Sequence, residues 1–389
     1  MKVRNLKIRK IIATNVQKTI ELELETSKGI VRSSVPIGTS RSKYEVVFLD
    51  VEDVIRKFSL IKKHFLTREF KSQKDVDSFL RLIDKSPNFK EIGGNLALGI
   101  SSVFLKAFAL EEGKEVFEFL LKGNAFLPKP ICNVAGGWAG TGAADIQEFL
   151  FVPVHQKSFL DSVMKIADSY VEVGKALKEK DPNFVFSKNI ESGWVSGLPS
   201  EEILSILTKI ANENTLKIGL DVAASHLWDG TYYNYGNSGI KLSRPEQRSF
   251  MEEIAKKYPI YYIEDPFHED DFLTFSFLTK KLQPKLICGD DLYSTNLERL
   301  KCGLEQKATN AILIKPNQVG TITDVMNVIK EARKEMLVTV MSHRSGETED
   351  TLICHLAVGL GCEFIKLGIG GERALKINEL IRIEEKLKS

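Results

Sequence analysis

The sequence is short of long apolar runs. Its 389 residues hold no hydrophobic stretch long enough to cross a bilayer, and the opening MKVRNLKIRKII alternates charged with apolar residues where a leader would carry an apolar block. An unprocessed chain with no membrane partner is expected. Cysteine is scarce too: Cys132, Cys288, Cys302, Cys354 and Cys362 are odd in number, form no CxxC pair and lie mostly in apolar runs. This argues against a disulfide framework or a zinc knot and suits a reducing, cytoplasmic setting. Neither sign of charge dominates, with 54 Lys plus Arg against 52 Asp plus Glu, and no dense basic block carries interleaved aromatics. Nucleic acid is therefore not an expected partner. The GxGxxG fingerprint of a dinucleotide fold is missing as well. The nearest stretch, LGIGGERAL, places Arg373 in the sixth position, where the third glycine would stand, which leaves a phosphate-cradling helix start or a plain tight turn.

What is present is a chain of ordinary globular composition, 43% hydrophobic and 27% charged, long enough for two units. The segment KTIELELETSKGIVRSSVPIG alternates apolar and polar residues around Ser-Lys-Gly, as an antiparallel hairpin does. Helical spacing follows in EVVFLDVEDVIRKFSLIKKHF, DVDSFLRLIDK and NLALGISSVFLKAFALEEGKEVFEFLLKG. Residues 1–125 are thus expected to form an α+β capping domain, with the proline-bearing segment 123–130 as boundary. Residues 126–389 then repeat one unit: an apolar run, a polar end, a loop and an amphipathic helix. The runs are FLFVP, FVFSKN, LKIGLD, IYYIED, KLICGDD, AILIK, LVTVMSH and EFIK. About eight such units predict a closed (β/α)8 barrel in an α/β fold.

Chemistry gathers at the ends of those runs, at Asp221, Glu264, Asp290 with Asp291, Lys315, His343 with Arg344, and Lys366. A single charged residue closing a buried strand is usually solvated rim, but recurrence in consecutive repeats puts these groups around one barrel mouth. Three carboxylates from neighbouring strands suit Mg2+ rather than zinc. Lys315 can serve as a base if metal and cationic neighbours such as Lys366 and Arg344 lower its pKa. His64, His155, His226, His268 and His355 have no ligand-like neighbour at i+4 and are read as surface or packing residues.

At this point the wording of several blocks resembles the enolase family, particularly its archaeal branch. LDVAAS, YPIYYIEDPFHEDD, GDDLYSTN, NAILIKPNQVGT, SHRSGETEDT and IKLGIGGERALKINELIRIEE follow enolase order, and SVPIGTSRSKYE and GGNLALGISSVFLKAFA resemble segments of its first domain. The resemblance implies an enolase-type barrel whose first units break strict βα alternation. It implies an activity, dehydration of 2-phosphoglycerate to phosphoenolpyruvate within glycolysis or gluconeogenesis, by a homodimer or higher homo-oligomer. It also implies two Mg2+ per active site, one on Asp221, Glu264 and Asp290 and a second, arriving with substrate, on Ser40. Lys315 would be the base and Glu191 the acid, with Glu148 and Gln147 beside it. Arg344 and Ser345 would bind phosphate, His343 would line the pocket, and Lys366 would stabilise the enolate.

Three stretches depart from the family wording. ATNVQKT replaces a DSRGNPT-like hairpin, GGWAG puts Ala139 where a histidine is expected, and IESG puts Ile190 and Ser192 where an acid and a glycine are expected. The glycine-rich VAGGWAGTGAAD is read as a moving lid. These departures motivate a rival, a related dehydratase acting on another hydroxy acid. A Schiff-base lysine at Lys315 and a non-catalytic, enolase-like binding protein are further alternatives.

Overall fold

The computed structural model describes residues 1–39, 42–137, 143–155 and 157–388. Ser40, Trp138, Ala139 and the centre of the glycine-rich loop lie outside the described residues.

The N-terminal part is a three-stranded antiparallel sheet, β1 (Asn5–Ile12), β2 (Lys18–Glu25) and β3 (Ile30–Ser34), followed by α1 (Val51–Thr67), α2 (Gln73–Ile83), α3 (Gly94–Glu111) and α4 (Val116–Leu120). Alternation in β2 sends Ile20, Leu22 and Leu24 into the core, while Glu21 and Glu23 face Arg9 and Arg32. Helix α3 corrects one expectation: by length and composition it is apolar enough to cross a membrane, yet 83% of it is buried in the core of this part. A helix apolar all round is what a central position requires.

Eight strands then close a barrel. In chain order the elements are β4 (Lys129–Gly136), β5 (Glu148–Pro153), α5 (Phe159–Lys180), α6 (Ser200–Glu213), β6 (Leu216–Asp221), the small hairpin β7 (Tyr233–Tyr235) and β8 (Ile240–Leu242), α7 (Arg244–Lys257), β9 (Ile260–Glu264), α8 (Phe272–Leu282), β10 (Leu286–Gly289), α9 (Leu297–Glu305), β11 (Ala311–Ile314), α10 (Ile322–Lys334), β12 (Val338–Ser342), α11 (Leu352–Gly359), β13 (Phe364–Gly368) and α12 (Ala374–Lys388). The barrel order is β10-β11-β12-β13-β4-β5-β6-β9. Ile131, Leu150, Val152, Tyr262, Leu286, Cys288, Leu313 and Val340 fill its interior.

Two strand assignments change. FVFSKN forms no strand: Phe184 is buried, but Val185 and Phe186 are exposed and Phe186 has φ 59°, so the alternation is a loop packing on Trp194. The missing strand is β4, opening at Lys129-Pro130 in the segment expected to be a linker. Pro130 lacks an N–H, which is tolerable near a strand start. Strand β5 pairs antiparallel with both β4 and β6, whereas the other six pairings are parallel.

The N-terminal part is fastened to the barrel by buried polar contacts. Asp77 accepts from the Thr323 N–H (2.9 Å), and Asp350 takes Lys106 (2.7 Å) and the Ser34 N–H (2.9 Å). Ile37 and Gly346 exchange two backbone hydrogen bonds of 2.8 Å, which draws residues 37–39 over the barrel mouth.

Candidate active site

Parallel strands end at one rim, and that rim carries the acids. Strand β6 ends on Asp221 and β9 on Glu264, β10 leads into Asp290, β11 into Lys315 and β12 into His343, and Lys366 lies in β13. Because β5 runs the other way, its first residue reaches the same rim: Glu148 pairs in register with Asp221, and Asp221 with Glu264. Among the described residues, Gln147, Glu148, Glu191, Asp221, Asp290, Lys315, His343, Arg344, Ser345 and Lys366 line one cavity of about 180 Å³. Glu264 lies just beneath, wholly buried, and accepts from Lys366 Nζ (2.8 Å) and the Tyr262 hydroxyl (2.6 Å).

Lys366 is the hub. Its ammonium donates to Asp221 Oδ2 and Glu264 Oε1 at 2.8 Å each and pairs with Glu148. Burial opposes its charge, but these three carboxylates outweigh burial and hold its pKa well above the ordinary lysine value. Glu264 is pushed up to about 8, first by burial and then by the Asp221 charge, against the pull of Lys366. Lys315 moves opposite to the expected direction. Burial, Arg344 and Lys366 do press it down, but its ion pair with Asp290, helped by Glu264, raises it.

Glu148 and Glu191 face each other with His343, their ligand atoms within 4.8 Å of one another. Burial, together with the charge of Glu191, drives the Glu148 carboxyl well up even against Lys366. Burial presses on Glu191 as well, yet its hydrogen bond with Glu148 and the positive charges of Lys366 and Arg373 hold it low. Two buried carboxyls in contact hold a proton between them as a unit. Burial keeps His343 neutral by lowering it well below its usual value. The Glu191 loop is shaped by Asn189, whose side chain accepts from the Glu191 and Gly193 N–H groups (3.0 and 2.9 Å). Ser192, where the family wording has glycine, takes φ 67°.

On the opposite wall Arg344 is buried against Glu45 (3.3 Å) and Asn317 Oδ1 (3.1 Å). Its guanidinium needs Gly38, because a Cβ there would lie 1.7 Å from Nη2. Ser345 Oγ accepts from the Thr39 N–H at 2.9 Å.

The donor set fits a hard divalent cation. Asp221, Glu264 and Asp290 offer only carboxylate oxygens from adjacent strands, and the cavity lining carries seven acids against three lysines and arginines. Asp290 also groups tightly with Asp265 and Asp291. Asp265 is a residue missed in the sequence. It accepts the Asp290 and Asp291 N–H groups (3.0 and 2.7 Å) and so fixes the backbone that carries Asp290, a candidate metal acid.

Other residues were missed as well. Glu45, Gln318 and His226 line the cavity, so His226, expected at the surface or in packing, is an exposed residue at the mouth. Gln318 donates to Asp290 Oδ1 (3.1 Å), a contact the strand-end pattern could not reveal because Gln318 follows Lys315 in a 3-10 turn. Two further histidines do have acidic company outside the mouth, His355 with Glu115 and Glu379, and His268 with Glu269 and Asp270. LGIGGERAL is a tight 3-10 turn whose Arg373 side chain is wholly buried.

Comparison with known proteins gives this arrangement a family. Family models described as the enolase N-terminal domain and the enolase C-terminal TIM barrel domain match residues 3–120 and 124–389. Proteins named enolase from Methanothermobacter thermautotrophicus and Methanosphaera stadtmanae are 37% and 38% identical, each over 99% of this chain and 97% of the relative. One from Picrophilus torridus is 38% identical over 99% of both chains. With its whole length matched in this way, the chain belongs to the enolase family.

Proposed function

We propose that the chain is a phosphopyruvate hydratase, a lyase that dehydrates 2-phosphoglycerate to phosphoenolpyruvate in glycolysis and gluconeogenesis. The observation that carries this reading is the meeting of three kinds of group around one cavity: the acids Asp221, Glu264 and Asp290, the strand-end Lys315, and the Glu148–Glu191 pair.

Asp221, Glu264 and Asp290 would hold one Mg2+, and Ser40 a second that comes with substrate. Bound there, the ions would supply positive charge beside the substrate carboxylate as negative charge builds up on it. Lys315 takes the proton from carbon 2. With Asp290 and Glu264 both engaged elsewhere, burial and the charges of Arg344 and Lys366 are what act on Lys315, and they favour the free amine. Lys366 adds its fixed charge to the enolate. The Glu148–Glu191 pair, with Glu191 nearest the leaving group, passes its proton to the carbon 3 hydroxyl, which departs as water while the carbon–carbon double bond forms. Gln147 and His343 border the substrate, and Arg344 and Ser345 take the phosphate. The three acids Asp221, Glu264 and Asp290 on the adjoining strands disfavour a Schiff-base lysine.

The same reading takes 1–125 as a cap and 126–389 as the catalytic barrel, working in the cytoplasm as a homo-oligomer. Mixing the purified protein with Mg2+ and 2-phosphoglycerate and following the ultraviolet absorbance of the enol product tests it. No product at any enzyme concentration would sink the assignment. The half-exposed Ile190, which lines the cavity where the family wording has an acid, favours testing other hydroxy acids alongside.

A further inference from the structure

Arg373 is wholly buried, in the turn between β13 and α12, and does not line the cavity. A buried guanidinium is costly unless its donors are used, so where they point is informative. Nη2 donates to the backbone carbonyls of Arg344 (3.2 Å) and Ser345 (2.6 Å). Nη1 reaches Thr14 Oγ1 (3.3 Å) and pairs with Glu372. Thr14 in turn locks the same segment from the other side. Its N–H donates to the Glu347 carbonyl (2.8 Å), its Oγ1 accepts the Glu347 N–H (3.0 Å), and Glu347 Oε1 accepts the Arg344 N–H (2.8 Å). Thr14 belongs to the hairpin ATNVQKT, the stretch that departs from the family wording.

The stem of Arg373 matters too. Its Cγ lies 3.3 Å from where a Cβ on Gly368 would be, and the Glu191 carbonyl 2.4 Å from the same point. Arg373 thus touches the backbone of the phosphate wall and borders the strand end that supports the acid loop, without reaching the cavity.

We propose that Arg373, with Thr14, is a positioning residue for substrate phosphate: by gripping the carbonyls of Arg344 and Ser345 it sets the direction in which their side chains meet the phosphoryl group. This rests on the hydratase reading. A planar fork places its donors on separate nitrogens, so Nη2 can hold the two carbonyls while Nη1 reaches the hydroxyl, whereas an ammonium has all its donors on one atom. A residue that only closed α12 would affect stability and leave ligand affinity alone.

The experiment compares Arg373→Lys and Thr14→Val with the wild type, measuring melting temperature, kcat, KM and the Kd of phosphoenolpyruvate. In folded protein, Kd and KM rise roughly ten-fold for Arg373→Lys and about three-fold for Thr14→Val, while kcat changes less than about two-fold. An unchanged Kd in folded Arg373→Lys, or a loss in kcat with binding intact, overturns the proposal. If Arg373→Lys fails to fold, Thr14→Val decides, and an unchanged Kd there overturns it. A wild type that neither turns over 2-phosphoglycerate nor binds phosphoenolpyruvate instead defeats the hydratase reading and takes this inference with it.

Discussion

Glu148, the first residue of β5, stands directly opposite Asp221, the last residue of β6. Only the reversed direction of β5 makes this possible, since in a parallel pair the start of one strand cannot meet the end of its neighbour. The pairing puts a candidate acid–base carboxyl beside a candidate metal acid, and Lys366 bridges the two. In the proposed reaction, proton transfer and charge neutralisation therefore share one lysine.

Removing the base and removing the acid should be distinguishable. Lys315→Ala and Glu191→Gln are each expected to lower turnover by about a hundred-fold or more with the fold intact. In deuterated solvent, Glu191→Gln should still exchange the carbon 2 proton of 2-phosphoglycerate and Lys315→Ala should not, as followed by proton NMR. Equal exchange in both would undo the role assignment.

Gly38→Ala is expected to lower kcat/KM by roughly ten- to a hundred-fold, the worth of one charge-assisted hydrogen bond. The added methyl collides with the Arg344 guanidinium and must turn it from the cavity. Steady-state kinetics at matched Mg2+ check this, and a variant with wild-type kcat/KM would disprove it.

Asp290→Ala and Glu264→Ala should each remove high-affinity Mg2+ binding along with activity, because a lost carboxylate ligand cannot be replaced by water at equal charge. Titration calorimetry on the substrate-free protein gives the answer. Unaltered binding in both variants would move the metal elsewhere.

Ser192→Gly should stabilise the protein by about 1 kcal/mol, since a non-glycine residue at φ 67° carries backbone strain that glycine's extra unfolded entropy only partly offsets. Thermal unfolding reads the gain. A lowered melting temperature would mean that Ser192 makes up for its strain through other contacts.

Much of the site could be read from the sequence, for a physical reason. Strand-end residues such as Asp221, Lys315 and His343 are marked by the apolar run each one closes, and parallel strands bring such ends together whatever the loops do. Glu148 has no such mark. It begins its run, and by strand-end logic it belongs at the far rim, so only resemblance to a family could supply it. FVFSKN misled because Phe-Val-Phe in a loop shows the same alternation as a strand, and β4 was hidden by the prolines flanking Lys129. Arg373 counted only as the residue that broke a glycine fingerprint, because charge on a turn reads as exposed until packing buries it.

Acid should loosen the N-terminal sheet in a predictable window. Hydrogen bonds from Arg9 first and Arg32 second, against a smaller opposing effect of burial, hold Glu23 down to about 2 from an ordinary 4.5. A depressed carboxyl contributes stability that is full above its unfolded value and lost as pH falls through its folded one. Wild-type melting temperature should therefore fall more steeply between pH 4.5 and 2 than that of Glu23→Gln. Parallel curves would assign the acid sensitivity to other groups.

The two backbone hydrogen bonds between Ile37 and Gly346 have a consequence for how such a protein can change over generations. They carry Gly38, Thr39 and Glu45 from the first part of the chain into the wall of a cavity whose other walls belong to the barrel. The site is thus the joint property of two units, and neither can be exchanged for a homologue's without refitting the seam. A substitution in the ATNVQKT hairpin and one in the segment 343–347 act on the same contacts, because Thr14 and Glu347 bond across the seam.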